Sequence, residues 1–189
     1  MRKILFTLFV LLLAVAVNAQ TADKLYKEGK ALYDAKNYAA AVPKLKAAAQ
    51  KGHPKAQYRL GLCYEKGRGV NVDLARAFQL YSQSAKAEYA KGQYRLGLCY
   101  KEGRGVEKDR KKAVALFAKA ARQENADAQY QLGKSYFKGK GIAADKVKAK
   151  TWLKRAVNNP KDGDKIRAKI KKKAAEGDED AKTILALIK

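Results

Sequence analysis

The stretch "AQYRLGLCYEKGRGV" at residues 56–70 decides the fold, because two close copies of it follow in the chain. It returns as "GQYRLGLCYKEGRGV" at 92–106 and as "AQYQLGKSYFKGKGI" at 128–142, each time 36 residues further on. A fixed period in this range is typical of a solenoid, in which similar supersecondary units stack on one another. The sequence therefore predicts a repeat protein.

Each repeat is predicted to contain two helices. Ala56, Leu60 and Cys63 follow one another at the spacing i, i+4, i+7, which places them in one buried stripe of the first helix. Gly67 then ends that helix, because glycine readily adopts the left-handed conformation of a sharp turn. Asp73 lies where its carboxylate can cap the start of the second helix. The inner face of that second helix is predicted at Ala77, Leu80 and Ala85.

Gly61, Gly97 and Gly133 lie in the middle of the first helices. Glycine at such a position costs about 1 kcal/mol relative to alanine. We expect the close approach of a neighbouring helix to be the reason for these glycines.

The repeated pattern A-x-x-x-L-G-x-x-Y-x-x-G-x-G-V-x-x-D-x-x-x-A resembles the Sel-one-like repeat, a branch of the tetratricopeptide superfamily. Residues 56–157 hold three consecutive copies, with small departures at Gly92, Ile142 and Val157. The resemblance implies an all-α fold, a right-handed α–α solenoid of stacked helix-turn-helix repeats. It also implies a non-enzymatic scaffold that binds a protein or peptide partner.

The chain is predicted to divide into a signal peptide, a first repeat-like unit, three repeats and a C-terminal cap. The segment before the repeats resembles a tetratricopeptide unit, and the segment after them is expected to form a pair of capping helices, with Ile166 and Ile170 on one face. The predicted boundaries are 1–19 for the signal peptide, 20–54 for the first unit, 55–90, 91–126 and 127–158 for the repeats, and 159–189 for the basic cap.

The N-terminus predicts export. Arg2 and Lys3 precede an uncharged apolar run from Ile4 to Val17, and small residues lead to a cleavage site near Ala19. We therefore expect a periplasmic or secreted protein, and the sequence leaves open which of the two applies. An uncleaved anchor is the alternative.

No residue pattern in the sequence predicts catalysis, a cofactor or a metal site. The "GRGV" loops follow a helix rather than a strand, which is unlike a phosphate-binding loop. The single histidine, His53, is interpreted as a turn residue, since one His is too few for a catalytic triad or a His-based metal site. Cys63 and Cys99 are expected to be buried thiols, because packed helices lie further apart than a disulfide spans. A strained or intermolecular bridge is the alternative.

The resemblance also implies where a partner would bind, since the first helices of tetratricopeptide-like repeats line the concave face. These positions would form a ladder of aromatic side chains flanked by lysines, which suits a partner with acidic and apolar groups. An alternative is that Tyr58, Tyr94 and Tyr130 simply pack between repeats. The predicted contact residues are Tyr26, Lys30, Tyr33, Lys55, Tyr58, Leu62, Lys66, Lys91, Tyr94, Leu98, Lys101, Tyr130, Lys134 and Phe137.

The chain is strongly basic, with 42 Lys and Arg against 18 Asp and Glu and a net charge of +24. Such a charge favours attraction to polyanions, although it does not determine the fold. The second predicted function is therefore binding of an anionic polymer, such as an acidic glycan, lipopolysaccharide or nucleic acid, or contact with a membrane surface. A solvated capping helix is the simpler interpretation of the most basic stretch. Its candidate contacts are Lys165, Arg167, Lys169, Lys171, Lys172 and Lys173.

Overall fold

The computed structural model describes residues 2–189, with side chains described from residue 17 onward. Over that range the chain forms ten α-helices and no β-strand, so the predicted all-α architecture is confirmed. None of the described helices is long and apolar enough to cross a membrane. The helices are α1 (Arg2–Asp34), α2 (Tyr38–Gln50), α3 (Pro54–Lys66), α4 (Leu74–Lys86), α5 (Ala90–Glu102), α6 (Arg110–Arg122), α7 (Ala126–Lys138), α8 (Lys146–Val157), α9 (Gly163–Ala175) and α10 (Glu179–Ile188).

Two compact units make up the chain, residues 1–92 and residues 93–189. In unit 1, α1 packs on α2, α2 on α3 and α3 on α4. The core of this unit contains small and aliphatic side chains from α2 and α3, together with the fully buried ring of Tyr81 from α4. Each of these helices therefore buries one face against its neighbours in the chain.

Unit 2 has the same arrangement, with α6 packed on α7 and α7 on α8, followed by α9 and α10. Ile166 and Ile170 of α9 and Ile184 of α10 are fully buried in one cluster with Leu153 of α8 and Tyr130 of α7. The predicted apolar face of the first capping helix is therefore confirmed. In this cluster α9 packs on both α7 and α8, and α10 packs on α8 and α9.

The turns and caps are built as the repeat pattern predicts. Gly67 ends α3 in the left-handed conformation, with φ of 65°. The carboxylate of Asp73 accepts a hydrogen bond of 2.8 Å from the backbone N–H of Arg76 at the start of α4. Asp109 and Asp145 cap α6 and α8 in the same way. Each repeat thus ends its first helix with a glycine and begins its second with an aspartate.

The mid-helix glycines lie against the second helix of the same repeat. A Cβ atom added to Gly61 would lie 2.6 Å from the Tyr81 ring, and one added to Gly97 would lie 2.7 Å from Phe117. A Cβ atom added to Gly133 would likewise lie 2.7 Å from the side chain of Leu153. The expectation of close helix approach at these glycines is therefore confirmed.

The inner face of α4 differs from the prediction. Ala77 is buried as expected, but Tyr81 and Ser84 are the other buried residues of this helix, and Leu80 and Ala85 are only half-buried. The spacing 77, 81, 84 places these three side chains on one helical face. The aromatic ring at position 81 fills the space that Gly61 leaves open, which is why this face is turned toward α3.

Candidate functional site

The first helices of unit 1 carry half of the predicted contact residues, which together we call the α1/α3 face. Tyr26, Tyr58 and Leu62 are half-buried, whereas Tyr33 is buried. The three lysines are exposed. The α1/α3 face consists of Tyr26, Lys30, Tyr33, Lys55, Tyr58, Leu62 and Lys66.

His53 holds the edge of this face in place. Its Nδ1 accepts a hydrogen bond of 3.2 Å from the backbone N–H of Ala56, so it caps α3, and its ring stacks on Tyr26 at 4.4 Å between centroids. Burial lowers the pKa of His53, which outweighs the opposing effect of the Asp23 carboxylate. The neutral imidazole is therefore the form that caps the helix, and His53 has the turn position that the sequence predicts.

Two arginines outside the predicted contact residues lie beside Tyr33. The guanidinium of Arg59 lies 5.1 Å from the centre of the Tyr33 ring and forms an ion pair of 3.0 Å with Asp34. Arg68 donates a hydrogen bond to the Tyr33 hydroxyl and lies 5.2 Å from the ring of Tyr38. Cation–π contacts of this kind hold a ring and a cation together. Tyr33 is therefore a packing residue, and the two arginines supply positive charge near it.

Tyr58 has a mixed environment. Its ring meets Tyr89 edge-on at 5.6 Å and lies 6.3 Å from Tyr81, while part of the side chain stays accessible. Burial raises the pKa of Tyr89 to about 12. One side of the Tyr58 ring therefore packs in the repeat, as the packing interpretation predicts, and the accessible remainder leaves the partner-contact interpretation a prediction.

The remaining predicted contact residues are less open. Lys91 is exposed, but Leu98 is 8% exposed and Tyr130 only 2%. Tyr94 packs on Phe117 at 6.0 Å, and burial raises its pKa. Phe137 is half-buried against the core formed with α9 and α10. The predicted contact role of Leu98 and Tyr130 is therefore contradicted by their burial. For Tyr130 the packing alternative applies, because its side chain lies in the core that α9 forms with α7 and α8.

Two lysines contact the ring of Tyr130 in unit 2, and two more lie near them. The Nζ atoms of Lys134 on α7 and Lys169 on α9 lie 5.6 and 5.5 Å from the centre of its ring. Lys101 on α5 donates a hydrogen bond of 3.1 Å to the side chain of Gln131 on α7. The structure thus brings together lysines from two separately predicted groups, the first-helix contact residues and the basic stretch. We call Lys101, Lys134, Lys169 and Lys173 the Tyr130 lysine cluster.

The charges in this cluster repel one another. Burial lowers the pKa of Lys101, and the charges of Lys169 and Lys173 lower it further, although Glu102 opposes them. Burial likewise lowers the pKa of Lys134, with Lys173, Lys138 and Lys101 adding to the effect and Asp178 opposing it. None of the four lysines forms an ion pair with a carboxylate in the part of the chain that the structure describes.

The nearby carboxylates are engaged elsewhere. Asp180 forms an ion pair with Lys138, and Glu102 pairs with Arg104. Asp178 caps α10 by accepting a hydrogen bond from the backbone N–H of Ala181. The cluster therefore keeps an excess of positive charge.

The other predicted polyanion contacts on α9 lie outside this cluster. Lys165 and Lys171 are exposed. Arg167 donates a hydrogen bond to the side chain of Asn158, and the Nζ atom of Lys172 lies 3.8 Å from the Glu176 carboxylate.

A cleft of about 400 Å³ lies between α2, α3 and α4 in unit 1, away from the predicted contact residues. Its wall includes Gln57, Tyr64 and Arg76.

Cys63 and Cys99 are buried thiols, and burial raises the pKa of Cys63 to about 11. Within the described residues, no three His, Cys, Asp or Glu side chains are grouped so as to hold a metal ion.

The stacked helix pairs define the chain as an α-solenoid repeat protein. A family model of the Sel1 repeat matches residues 54–89, 90–125 and 126–160, so the chain belongs to the Sel1 repeat family. No curated protein matched the chain in a sequence comparison.

Solved structures agree with this assignment. A Sel1 repeat protein from Oxalobacter formigenes is 34% identical, with a TM-score of 0.68 over 72% of this chain and 56% of its own. The protein c5321, a protective antigen of uropathogenic Escherichia coli strains with an SLR fold, is 33% identical, with a TM-score of 0.68 over 71% of this chain and 30% of its own. A Sel1 repeat protein from Klebsiella pneumoniae, 22% identical with a TM-score of 0.50 over 79% of both chains, shares the fold. The matched region covers less than two thirds of the first two proteins.

Proposed function

We propose that this protein is an exported, non-enzymatic scaffold that binds a protein or peptide partner through the α1/α3 face. Sel1 repeat proteins in general are scaffolds for protein–protein interaction, and the chain belongs to that family. The partner that fits this face carries acidic and apolar groups.

The exposure pattern of the α1/α3 face carries this proposal. Tyr26, Tyr58 and Leu62 offer partly accessible apolar surface, and the exposed Lys55 lies beside them without an ion pair in the described structure. Aromatic side chains with one packed side and one accessible side are typical anchors of protein interfaces. Lysines at the rim of such a surface steer an acidic partner toward it.

Export is the second part of the proposal. Ala22 is the first buried residue among the described side chains, and Val17, Asn18 and Ala19 are all exposed. Cleavage near Ala19 would therefore remove no described core residue, and the main loss is a hydrogen bond between Lys51 and Asn18. Mass measurement of the protein isolated from its host checks this, since an intact N-terminus would contradict the proposal.

A photo-crosslinking experiment tests partner binding. A photoreactive amino acid replaces Leu62 on the α1/α3 face or, as a control, Val147, which is 77% exposed on α8. We expect a specific crosslinked product from position 62 only. Lys55→Glu with Lys66→Glu should abolish this product, because the acidic partner is then repelled.

The matched control is Lys86→Glu with Lys119→Glu, which changes the net charge equally at exposed positions on the second helices α4 and α6. This control should leave the product unchanged. If both double variants lose the product to the same degree, net charge and not the α1/α3 face explains the binding.

Binding of an anionic polymer is the second candidate function, favoured by the exposed Lys165, Lys169 and Lys171 on α9. Such binding should weaken steeply as salt concentration rises, because it releases counterions from the polymer. Crosslinking at Leu62 should depend less on salt. A titration of a sulfated glycan at several salt concentrations separates the two functions.

A further inference from the structure

We propose that the Tyr130 lysine cluster is a binding site for a dianionic phosphate group. The proposal goes beyond partner binding on the α1/α3 face and does not rest on it, since its residues all lie in unit 2.

The geometry of the cluster converges on one ring. Lys134 and Lys169 come from different helices, yet both Nζ atoms lie within 5.6 Å of the centre of the Tyr130 ring. Lys101 is tied to the same helix as Tyr130 through its hydrogen bond to Gln131. Ammonium groups from three helices therefore lie in one region, close enough for the charge of Lys101 to act on Lys134 and that of Lys169 to act on Lys101. Helix α9 lies outside the three matched repeats.

An unpaired, partly buried ammonium group is costly, and proteins normally pair such charges. Here Lys101, Lys134 and Lys173 are half-buried, and none of the cluster lysines has a carboxylate partner within the described residues. Burial and mutual repulsion lower the pKa of both Lys101 and Lys134. Glu102 and Asp178 offset part of this repulsion at a distance, without forming an ion pair with any of the four lysines in the described part of the chain. An anion that entered the cluster would contact the ammonium groups directly and relieve the repulsion further.

The number of positive charges selects the class of anion. One carboxylate would neutralise only a single ammonium group, whereas a phosphate monoester brings close to two negative charges and three acceptor oxygens. Lysine binds phosphate well as a compact point charge. The exposed Lys169 lies at the solvent side of the cluster, so the bound group is one presented from solution.

Titration calorimetry on the full chain tests the proposal at low salt and mildly alkaline pH, with inorganic phosphate, mainly a dianion under these conditions, as the probe and acetate as the monoanion for comparison. We expect inorganic phosphate to bind more tightly than acetate. Lys101→Gln with Lys134→Gln should weaken phosphate binding by about tenfold or more, because two charge-assisted contacts are lost. Lys86→Gln with Lys119→Gln, with the same change in net charge on α4 and α6, should change it by less than about twofold.

A second pair of variants guards against misfolding. Lys169→Gln with Lys173→Gln alters the α9 side of the cluster and should weaken binding similarly, with an unchanged circular dichroism spectrum. Lys101→Gln with Lys134→Gln should also raise the melting temperature, because it removes unpaired charge. A binding loss that came with a lower melting temperature in both pairs would indicate a structural role and overturn the proposal.

Vesicles containing phosphatidic acid form a second arm, since they present a phosphate monoester at a lipid surface. Binding to either probe that is lost in the cluster variants and kept in the control supports the site and identifies the source of the phosphate. Absence of binding to both probes, equal affinity for acetate, or equal loss in the control pair would overturn it. None of these results depends on crosslinking at Leu62. Absence of phosphate binding would therefore not contradict the scaffold proposal, which the crosslinking experiment tests separately.

Discussion

Glycine at position 61 shows how a single missing Cβ atom sets the distance between two helices. The ring of Tyr81 occupies the place where that Cβ would lie, and the ring itself is fully buried. Gly97 and Gly133 repeat the arrangement with Phe117 and Leu153. The backbone cost of a helical glycine is thus offset by burial of a large side chain from the second helix of the same repeat.

Gly61→Ala should therefore destabilise the protein. The helix gains up to about 1 kcal/mol from alanine, but the added methyl would lie 2.6 Å from the Tyr81 ring. Overpacking of this kind costs about 1–3 kcal/mol. We expect a net loss in urea unfolding, and a smaller loss in a Tyr81→Leu background, where space is available. Equal losses in the two backgrounds would contradict the steric explanation.

Gln57 marks a place where one repeat lacks a partner that the others have. The side-chain oxygens of Gln93 and Gln129 accept hydrogen bonds from Gln123 and Asn159, at 2.9 and 3.5 Å. The residue one period before Gln123 is Ala87, and the buried Oε1 of Gln57 has no hydrogen-bond partner. An unsatisfied buried acceptor costs about 1–3 kcal/mol.

Ala87→Gln should restore the missing hydrogen bond and stabilise the protein by about 1 kcal/mol. Ala87→Met serves as the control, because methionine has a similar length and no amide to donate. Both variants are compared with the parent by urea unfolding. If the methionine variant gains as much stability, helix propensity and apolar contact explain the effect and the hydrogen bond does not.

At the scale of the helix, the capping aspartates make stability depend on pH. The carboxylate of Asp109 accepts a hydrogen bond of 2.9 Å from the backbone N–H of Lys112. The carboxylate of Asp145 accepts one of the same length from the backbone N–H of Lys148. These hydrogen bonds and the adjacent lysine charges lower the pKa of both carboxyls below their ordinary value of 3.8. The ionised form is therefore the one that the folded protein stabilises.

This pKa shift fixes the direction of the acid effect. The stability that Asp109 and Asp145 contribute is fully present above pH 3.8 and is lost as pH falls through the lower pKa of the folded state. Asp109→Asn with Asp145→Asn keeps the capping oxygens but removes the two titrating carboxyls. The free energy of unfolding of this double variant should therefore fall less steeply as the pH is lowered below 3.8. Glu107→Gln, in an exposed loop, should leave this dependence on pH unchanged. An unaltered pH dependence in the double variant would contradict this assignment.

The elements also show what sequence could predict. The stop at Gly67 and the cap at Asp73 depend on residues within one turn, and the 36-residue period repeats them, so both were predictable. The burial of Tyr130 by α9 was not, because α9 lies outside the period and its packing on α7 is a tertiary contact. For the same reason, the sequence did not predict that Lys101 and Lys169, 68 residues apart, lie close enough for their charges to act on one another.

At the scale of the whole molecule, the net charge of +24 opposes folding through self-repulsion. The ion pairs that offset it are mostly exposed, such as Lys27 with Asp23 and Lys182 with Glu179. Exposed pairs contribute little to stability. Repulsion between lysines, including those of the Tyr130 lysine cluster, is therefore the larger long-range electrostatic effect.

Added salt should consequently stabilise this protein. Raising NaCl from about 0.05 M to about 0.5 M shortens the screening length from roughly 14 Å to roughly 4 Å. This screens the repulsion between lysines more than it weakens the exposed pairs, so the melting temperature should rise by a few degrees, since about 1 kcal/mol corresponds to about 2–4 °C for a chain of this size. Lys101→Gln with Lys134→Gln should start from a higher melting temperature at low salt and gain less from NaCl. A melting temperature that fell with salt would show instead that attractive pairs dominate the electrostatics of the fold.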